Sequence, residues 1–231
     1  MYNRAIQRKE DMIITYHGHS CFKLKGKTGT LVFDPYDEAV GWTLPTLSAD
    51  VVVISHGHHD HSNVAAVRPT ARREQSFVVT QPGEYEIGGI SVFGVATYHD
   101  DQEGILRGAN TVFTALIDGV RVTHLGDLGH QLSPEQAEAI GSSDVLLCPV
   151  GGHFTIGPTE AVKVIRALEP SMVIPMHFLT DKHDKNIFAD MKTVADFLKE
   201  YGVESAPLPQ LDVDHSRLPE ETTVVVLSEQ L

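Results

Sequence analysis

His56-Gly57-His58-His59-Asp60-His61 follows directly on Val51-Val52-Val53-Ile54-Ser55, and this junction decides how the chain is read. The apolar run is β-branched throughout, which favours a buried strand. Histidines and one aspartate therefore leave a strand end together, within six positions. Imidazole and carboxylate are ligands of Zn²⁺ and similar divalent ions, and mounting them on one turn pre-organises a site. A solvated His-rich turn is the plain alternative. A buried strand that delivers the cluster weighs against it.

One turn supplies too few ligands for a hydrolytic metal centre, so further donors are needed. Working outward, His99 follows the β-favouring stretch 90–97, Asp127 follows 120–125, and His177 follows 172–176. Strand ends from distant parts of a sheet can converge on one rim, so these residues can share a site with the His-rich turn.

The rest of the pattern supplies the frame. Stretches 12–16, 21–24, 31–33 and 51–55 read as strands separated by Gly-Lys, Thr-Gly and Asp-Pro turns. A short helix is predicted over 62–67, then strands over 77–80 and 90–97. Asp118-Gly119 between 111–117 and 120–125 is a two-residue hairpin signal. Ser133-Pro134-Glu135-Gln136 carries a cap, a proline at the first position and a glutamine three beyond the cap, so it opens a helix. Further helices are predicted over 158–168 and 189–201, with strands over 145–150, 172–176 and 223–227. Strands flanked by helices put the chain in the α/β class, as sheet layers with helices outside.

Composition narrows the function. A chain of 231 residues with 42% hydrophobic and 21% charged residues can bury a sizeable core. No apolar run approaches a membrane span. The start, MYNRAIQRKEDM, is polar and lacks the apolar core of a secretory signal. Residues 1–11 read as a flexible extension or a misplaced start, 12–231 as a single domain, and the location as cytoplasmic. Cys21 and Cys148 sit in apolar segments and read as buried thiols rather than a disulfide or zinc ligands. A net charge of −13 disfavours long nucleic acids, which demand a basic face; Arg68 with Arg72-Arg73 is the nearest approach to one.

The order His-x-His-x-Asp-His, then His99, Asp127 and His177, resembles the metallo-β-lactamase superfamily from about Met12 to the C-terminus. The resemblance implies an αββα sandwich. It also implies one metal held by His56, His58 and His99, a second held by Asp60, His61 and His177, and Asp127 bridging both, as in the branch related to glyoxalase II. Asp127 stands where classical β-lactamases carry a cysteine, so antibiotic degradation is not implied. Gly18-His19-Ser20-Cys21-Phe22, Gly126-Asp127-Leu128-Gly129-His130, Gly151-Gly152-His153-Phe154-Thr155 and Pro175-Met176-His177-Phe178 resemble a small single-domain group of Zn-dependent hydrolases, related more distantly to the ascorbate-6-phosphate lactonase branch. No substrate follows from this likeness.

The chemistry so implied uses two divalent ions, Zn²⁺ foremost, with Mn²⁺ or Fe²⁺ accepted by the same donors. They would bridge a water and bring it to hydroxide at neutral pH. Asp60 is the expected catalytic carboxylate, ligating a metal and orienting the nucleophile or passing a proton to the leaving group. The leading expectation is a hydrolase of a small-molecule lactone, ester, thioester or phosphodiester. A nuclease acting on short oligonucleotides would show a basic or aromatic groove beside the metals. A metal-binding protein that kept the fold without turnover is the third reading.

The other histidines receive lesser roles. His59 should face away from its neighbours, and His124 should lie on the strand face opposite Asp127. His19 is expected behind the ligands, where imidazoles need partners for their second nitrogen. His153 and His130, each after a Gly-rich stretch, are candidate substrate-binding residues. Arg107 could meet an anionic substrate, but pairing with Asp100, Asp101 or Glu103 is the expectation. His17, His183 and His215 carry no argument, and nothing sets an oligomeric state.

Overall fold

The computed structural model describes residues 11–231, so the extension expected over 1–11 lies, apart from Asp11, outside the described residues. Two sheets form the frame. The first runs Leu211–Val213, Met12–Tyr16, Phe22–Lys25, Thr30–Phe33, Val51–Val53 and Phe77–Val79 from edge to edge. The second runs Thr223–Val224, Met172–Met176, Val145–Pro149, Val120–His124, Ala109–Ile117, Ile90–Tyr98 and Gly83–Ile87.

Strand periodicity explains how the first sheet divides its apolar residues. Leu31, Phe33, Val51 and Val53 face a core shared with Val112, Phe113, Val122 and Leu147 of the second sheet. Val32 and Val52, one residue out of phase, join a separate cluster on the other face with Tyr36, Val40, Leu47 and Val67. Both faces of Val51–Val53 are thus buried, as a continuous β-branched run requires.

The two outer faces are covered differently. Helices Pro158–Leu168 and Val194–Tyr201 add Ala161, Ile165 and Phe197 to the shared core. The outer face of the first sheet is covered instead by a single turn, Glu38–Val40, and a two-stranded ribbon, Leu47–Ala49 with Val67–Pro69. The sandwich is therefore rich in helix on one side only. The helix predicted over 62–67 is a single 3₁₀ turn, Val64–Ala66, that passes into the ribbon strand. The helix predicted over 189–201 starts later, at Val194, because Thr193 and Asp196 form a reciprocal capping box that sets its first turn.

Strand direction places the site. Thr30–Phe33, Val51–Val53 and Phe77–Val79 are parallel, as are Val120–His124, Val145–Pro149 and Met172–Met176. Ile90–Tyr98 is antiparallel to Ala109–Ile117, itself antiparallel to Val120–His124, so its C-terminal end reaches the same rim. The hairpin at Asp118-Gly119 has positive φ at both residues (53° and 87°) and sets the register Ile117 opposite Val120. Two backbone bonds clamp the sheets together at that rim: Thr111 N–H to the Ser55 carbonyl and His177 N–H to the His19 carbonyl, each 2.9 Å.

Candidate metal centre

Asp127 is the hub. Its Oδ2 lies 3.2 Å from His99 Nε2, 3.3 Å from both His61 Nε2 and His177 Nε2, and 4.0 Å from His56 Nε2. His58 Nδ1 is 3.1 Å from His56 Nε2, and His56, His58 and His99 form one three-histidine group. Asp60 Oδ2 stands 3.8 Å from His61 Nε2. The other six candidate ligands named from the sequence thus gather about Asp127 at the joint rim of the two sheets, His58 through His56 and Asp60 through His61.

Buried groups behind the ligands set which nitrogen faces the hub. Asp34, fully buried, accepts hydrogen bonds from Ser55 N–H (2.8 Å), the Ser55 hydroxyl (2.5 Å) and His61 Nδ1–H (2.9 Å). Ser55 Oγ in turn lies 2.9 Å from His56 Nδ1. With Nδ1–H directed at Ser55 and Asp34, the Nε2 atoms of His56 and His61 are left facing Asp127. Asn110 Oδ1 accepts the Asp127 N–H at 3.0 Å, while its amide donates to Thr97 Oγ1 and the Leu125 carbonyl. Gly126, at φ +56°, lets the chain pass where a side chain would strike Asn110 and Ser55. Asp34, Ser55 and Asn110 escaped the sequence reading. The signal available for Asp34 was a carboxylate at the end of a buried strand, read only as an Asp-Pro turn.

The electrostatics suit a cation. Burial, with His61 alongside, drives His56 down to about 3, and burial and His99 lower His58. Burial pushes the Asp60 carboxyl up, but the His19 hydrogen bond and His61 more than offset it and hold it well below the usual range. Asp127 is likewise held low, His177 and His61 overcoming its burial. His61 moves the other way: burial opposes its charge, yet Asp127 and Asp34 raise it. His61 Nε2 and Asp127 Oδ1 are buried with no hydrogen-bond partner among the described residues. Orphaned polar atoms at the centre of an imidazole–carboxylate set are what a bound divalent ion would satisfy, so the residues fit the metals the sequence implies.

The remaining histidines separate by their contacts. His19 Nε2 is 3.3 Å from Asp60 Oδ2, and its ring centroid is 4.2 Å from that of His177. His59 turns to Asp37, 3.1 Å away. His124 is buried between Ser20 O and Gly126 N–H and stacks on Phe33. A cavity of about 310 Å³ opens over the centre, lined by His58, Asp60, His99, Arg107, Phe154 and Phe188 among others.

Two expected pocket residues lie outside the lining of this cavity. His130 lies outside that lining: its Nε2 accepts Tyr98 N–H and its Nδ1 meets the Gln131 carbonyl, so backbone occupies both nitrogens. His153 packs its ring edge-on against Phe154, and the next residue, Phe154, takes the place in the lining. Arg107 is corrected. Its guanidinium makes no ion pair with Asp100, Asp101 or Glu103; it donates to the His153 carbonyl at 3.2 Å.

A family model described as a beta-lactamase superfamily domain matches residues 13–177. The chain belongs to the metallo-β-lactamase superfamily. It is 33% identical over 195 residues to a UPF0173 metal-dependent hydrolase from Thermoplasma acidophilum, covering 74% of this chain and 85% of that protein. A UPF0173 metal-dependent hydrolase from Thermococcus onnurineus is 31% identical over 190 residues, covering 72% and 84%. A solved metallo-β-lactamase superfamily structure from Thermotoga maritima is 36% identical with a TM-score of 0.74, covering 94% of this chain and all of that one (100%). The sandwich that the resemblance implied is thus the superfamily's fold, here with its helices mainly on one outer face, and the chain is a metal-dependent hydrolase.

Proposed function

We propose that this metallo-β-lactamase superfamily hydrolase acts on small molecules (a lactone, ester, thioester or phosphodiester) with two divalent ions, Zn²⁺ foremost. His56, His58 and His99 would hold one ion, Asp60, His61 and His177 the other, with Asp127 between them. The observation that carries this reading is the Asp127 carboxylate, ringed by four imidazole Nε2 atoms at 3.2–4.0 Å. Ions held there lower the pKa of water and polarise a scissile carbonyl or phosphoryl oxygen.

The protein's own groups do the rest. Asp60, ionised and aimed by His19, accepts the proton of the attacking water and returns it to the leaving group. Asp34 and Ser55 keep His61 and His56 in the tautomers that present Nε2. Asp127 balances positive charge at the centre of the site.

A cavity of about 310 Å³ suits a metabolite-sized substrate. Its lining holds Arg107 but no lysine, which argues against a phosphate track along a long nucleic acid. No helix among the described residues is long and apolar enough to cross a membrane. Cys21 and Cys148 are free and buried, which agrees with a reducing, cytoplasmic setting.

The test is metal content of protein purified without added metal or chelator, alongside turnover of lactone, ester and phosphodiester panels by the wild type and Asp60→Asn. Close to two ions per chain, with turnover cut by about 10²-fold or more in the variant, is the expected result. A protein that takes up no metal, or turnover untouched by Asp60→Asn, overturns it.

A further inference from the structure

The segment after His99 is a closed loop built around one carboxylate. Asp100 accepts four backbone N–H groups, from Gln102 (2.8 Å), Gly104 (2.9 Å), Leu106 (2.9 Å) and Arg107 (2.7 Å). The chain then returns to its start, since His99 N–H donates to the Gly108 carbonyl at 3.0 Å. The loop therefore begins and ends at a candidate metal ligand, and its internal bonds fix where Arg107 emerges.

Arg107 emerges into the cavity. Its Cζ lies 5.7 Å from the centroid of the Phe154 ring, and Nη2 donates to the His153 carbonyl. Among the described residues the arginine ion pairs are those of Arg73 and Arg217, and none involves Arg107, although Asp101 and Glu103 share its loop. Asp100, at the start of the loop, spends both oxygens on backbone N–H groups. A guanidinium has five N–H donors, and among the described residues one of them is engaged. In a chain of net charge −13, a cation over an aromatic ring with no direct ion pair among the described residues is placed for an incoming anion.

The rest of the lining defines what that anion is attached to. His58, Asp60, His99, Asp127 and His177 form the metal-binding side. Phe154, Ile187 and Phe188 form an apolar wall, with the Phe154 and Phe188 centroids 5.8 Å apart. We propose that Arg107 anchors the substrate, and that the substrate is a small ester or lactone with an apolar body and a separate oxyanionic group, carboxylate or phosphate, that pairs with the guanidinium. This rests on the reading of the cavity as a hydrolytic centre. The scissile carbonyl lies toward Asp60 and Asp127, the apolar body lies along Phe154 and Phe188, and the anionic end reaches Arg107.

Binding of amide analogues, which resist hydrolysis, tests the assignment apart from turnover. Glutaranilate carries the anion, 3-phosphonopropionanilide carries a phosphonate in its place, and butyranilide carries neither. Calorimetry on metal-loaded wild type, Arg107→Met and Arg107→Lys would give the ratio of anionic to neutral affinity. Metal content and melting temperature would verify that each variant is folded and loaded.

The wild type should prefer an anionic anilide over butyranilide, and Arg107→Met should lower that ratio by about 10-fold or more, with partial recovery in Arg107→Lys. The tighter of the two anionic probes identifies carboxylate or phosphate as the natural group. An equal ratio in wild type and Arg107→Met, or no binding of any anilide to the wild type, overturns the proposal. Turnover of the matching 4-nitrophenyl esters is scored separately. Turnover with an unchanged ratio overturns the Arg107 assignment alone. A ratio that depends on Arg107 without turnover supports the anion anchor and counts against the hydrolytic reading for esters.

Discussion

At the metal-binding rim, His56, His61 and Asp127 are buried, and each is held by a second buried group: Ser55, Asp34 and Asn110 respectively. On the facing wall, Arg107 and Phe154 come from loops and Ile187 from a four-residue helix, Lys185–Phe188, with Ile187 49% exposed. The rim is polar, enclosed and fixed from behind. The wall sets one cation among apolar side chains and is carried on connections and a short helix. This division separates the chemistry, which needs rigid donors, from recognition, which loops can alter without disturbing the sheets.

The sharpest way to break the comparison is at the hub. Asp127→Ala should lose metal from both halves of the centre together and lower turnover by about 10³-fold or more, the loss of several kcal/mol of charge stabilisation. Metal analysis and steady-state kinetics would check this. Retention of full metal content would remove Asp127 from the bridging role.

One layer back, Asp34→Ala touches no proposed metal yet frees the His61 ring, and should weaken metal binding by about 10–100-fold. Competition with a chromogenic chelator measures this directly. An unchanged affinity would mean that the rim does not need its buried support.

Behind the wall, His183 packs edge-on to Trp42, 4.7 Å between centroids, and accepts Thr180 N–H. Burial, with His19 beside it, lowers this imidazole to about 3, against about 6.5 in an unfolded chain. The unfolded chain binds the extra proton between those values. Stability present above pH 6.5 is therefore lost as pH falls toward 3. Denaturant titrations of metal-free protein should show this decline, and His183→Leu should flatten it by up to about 1.4 kcal/mol per pH unit.

The smallest effects belong to residues outside both regions. His130→Ala should change kcat/KM by less than about 2-fold, because both its nitrogens are engaged by backbone and it lines no part of the cavity over the centre. Cys21 and Cys148 are fully buried, and burial raises both thiols well above their usual range. A thiol reagent at neutral pH should therefore label neither until the chain is unfolded.

How far these features were legible in the sequence depends on how local their cause is. The run Val51–Ile54 leading into His56 announced a strand and a donor turn because both patterns are contiguous. The Asp118-Gly119 hairpin was equally plain, since its two residues tolerate positive φ. Asp34 and Asn110 were missed because their roles exist only when separate strands meet. Asp34 acts on His61 across two parallel strands, and Asn110 acts on Asp127 across a hairpin. Arg107 was misassigned because nearness in sequence suggested an ion pair with Asp100, Asp101 or Glu103, and its guanidinium meets none of the three but donates to the His153 carbonyl. In the fold, backbone amides occupy the Asp100 carboxylate.

By itself the sequence determined the class of fold and named the candidate metal donors, because hydrophobic period and donor chemistry are properties of short segments. Only the tertiary structure decided which nitrogen of His56 and of His61 faces Asp127, that Phe154 rather than His153 lines the cavity, and that Arg107 stands there without an acidic partner. Those outcomes depend on side-chain direction and on competition for hydrogen-bond partners among residues far apart in the chain, and neither is written into any single stretch of it.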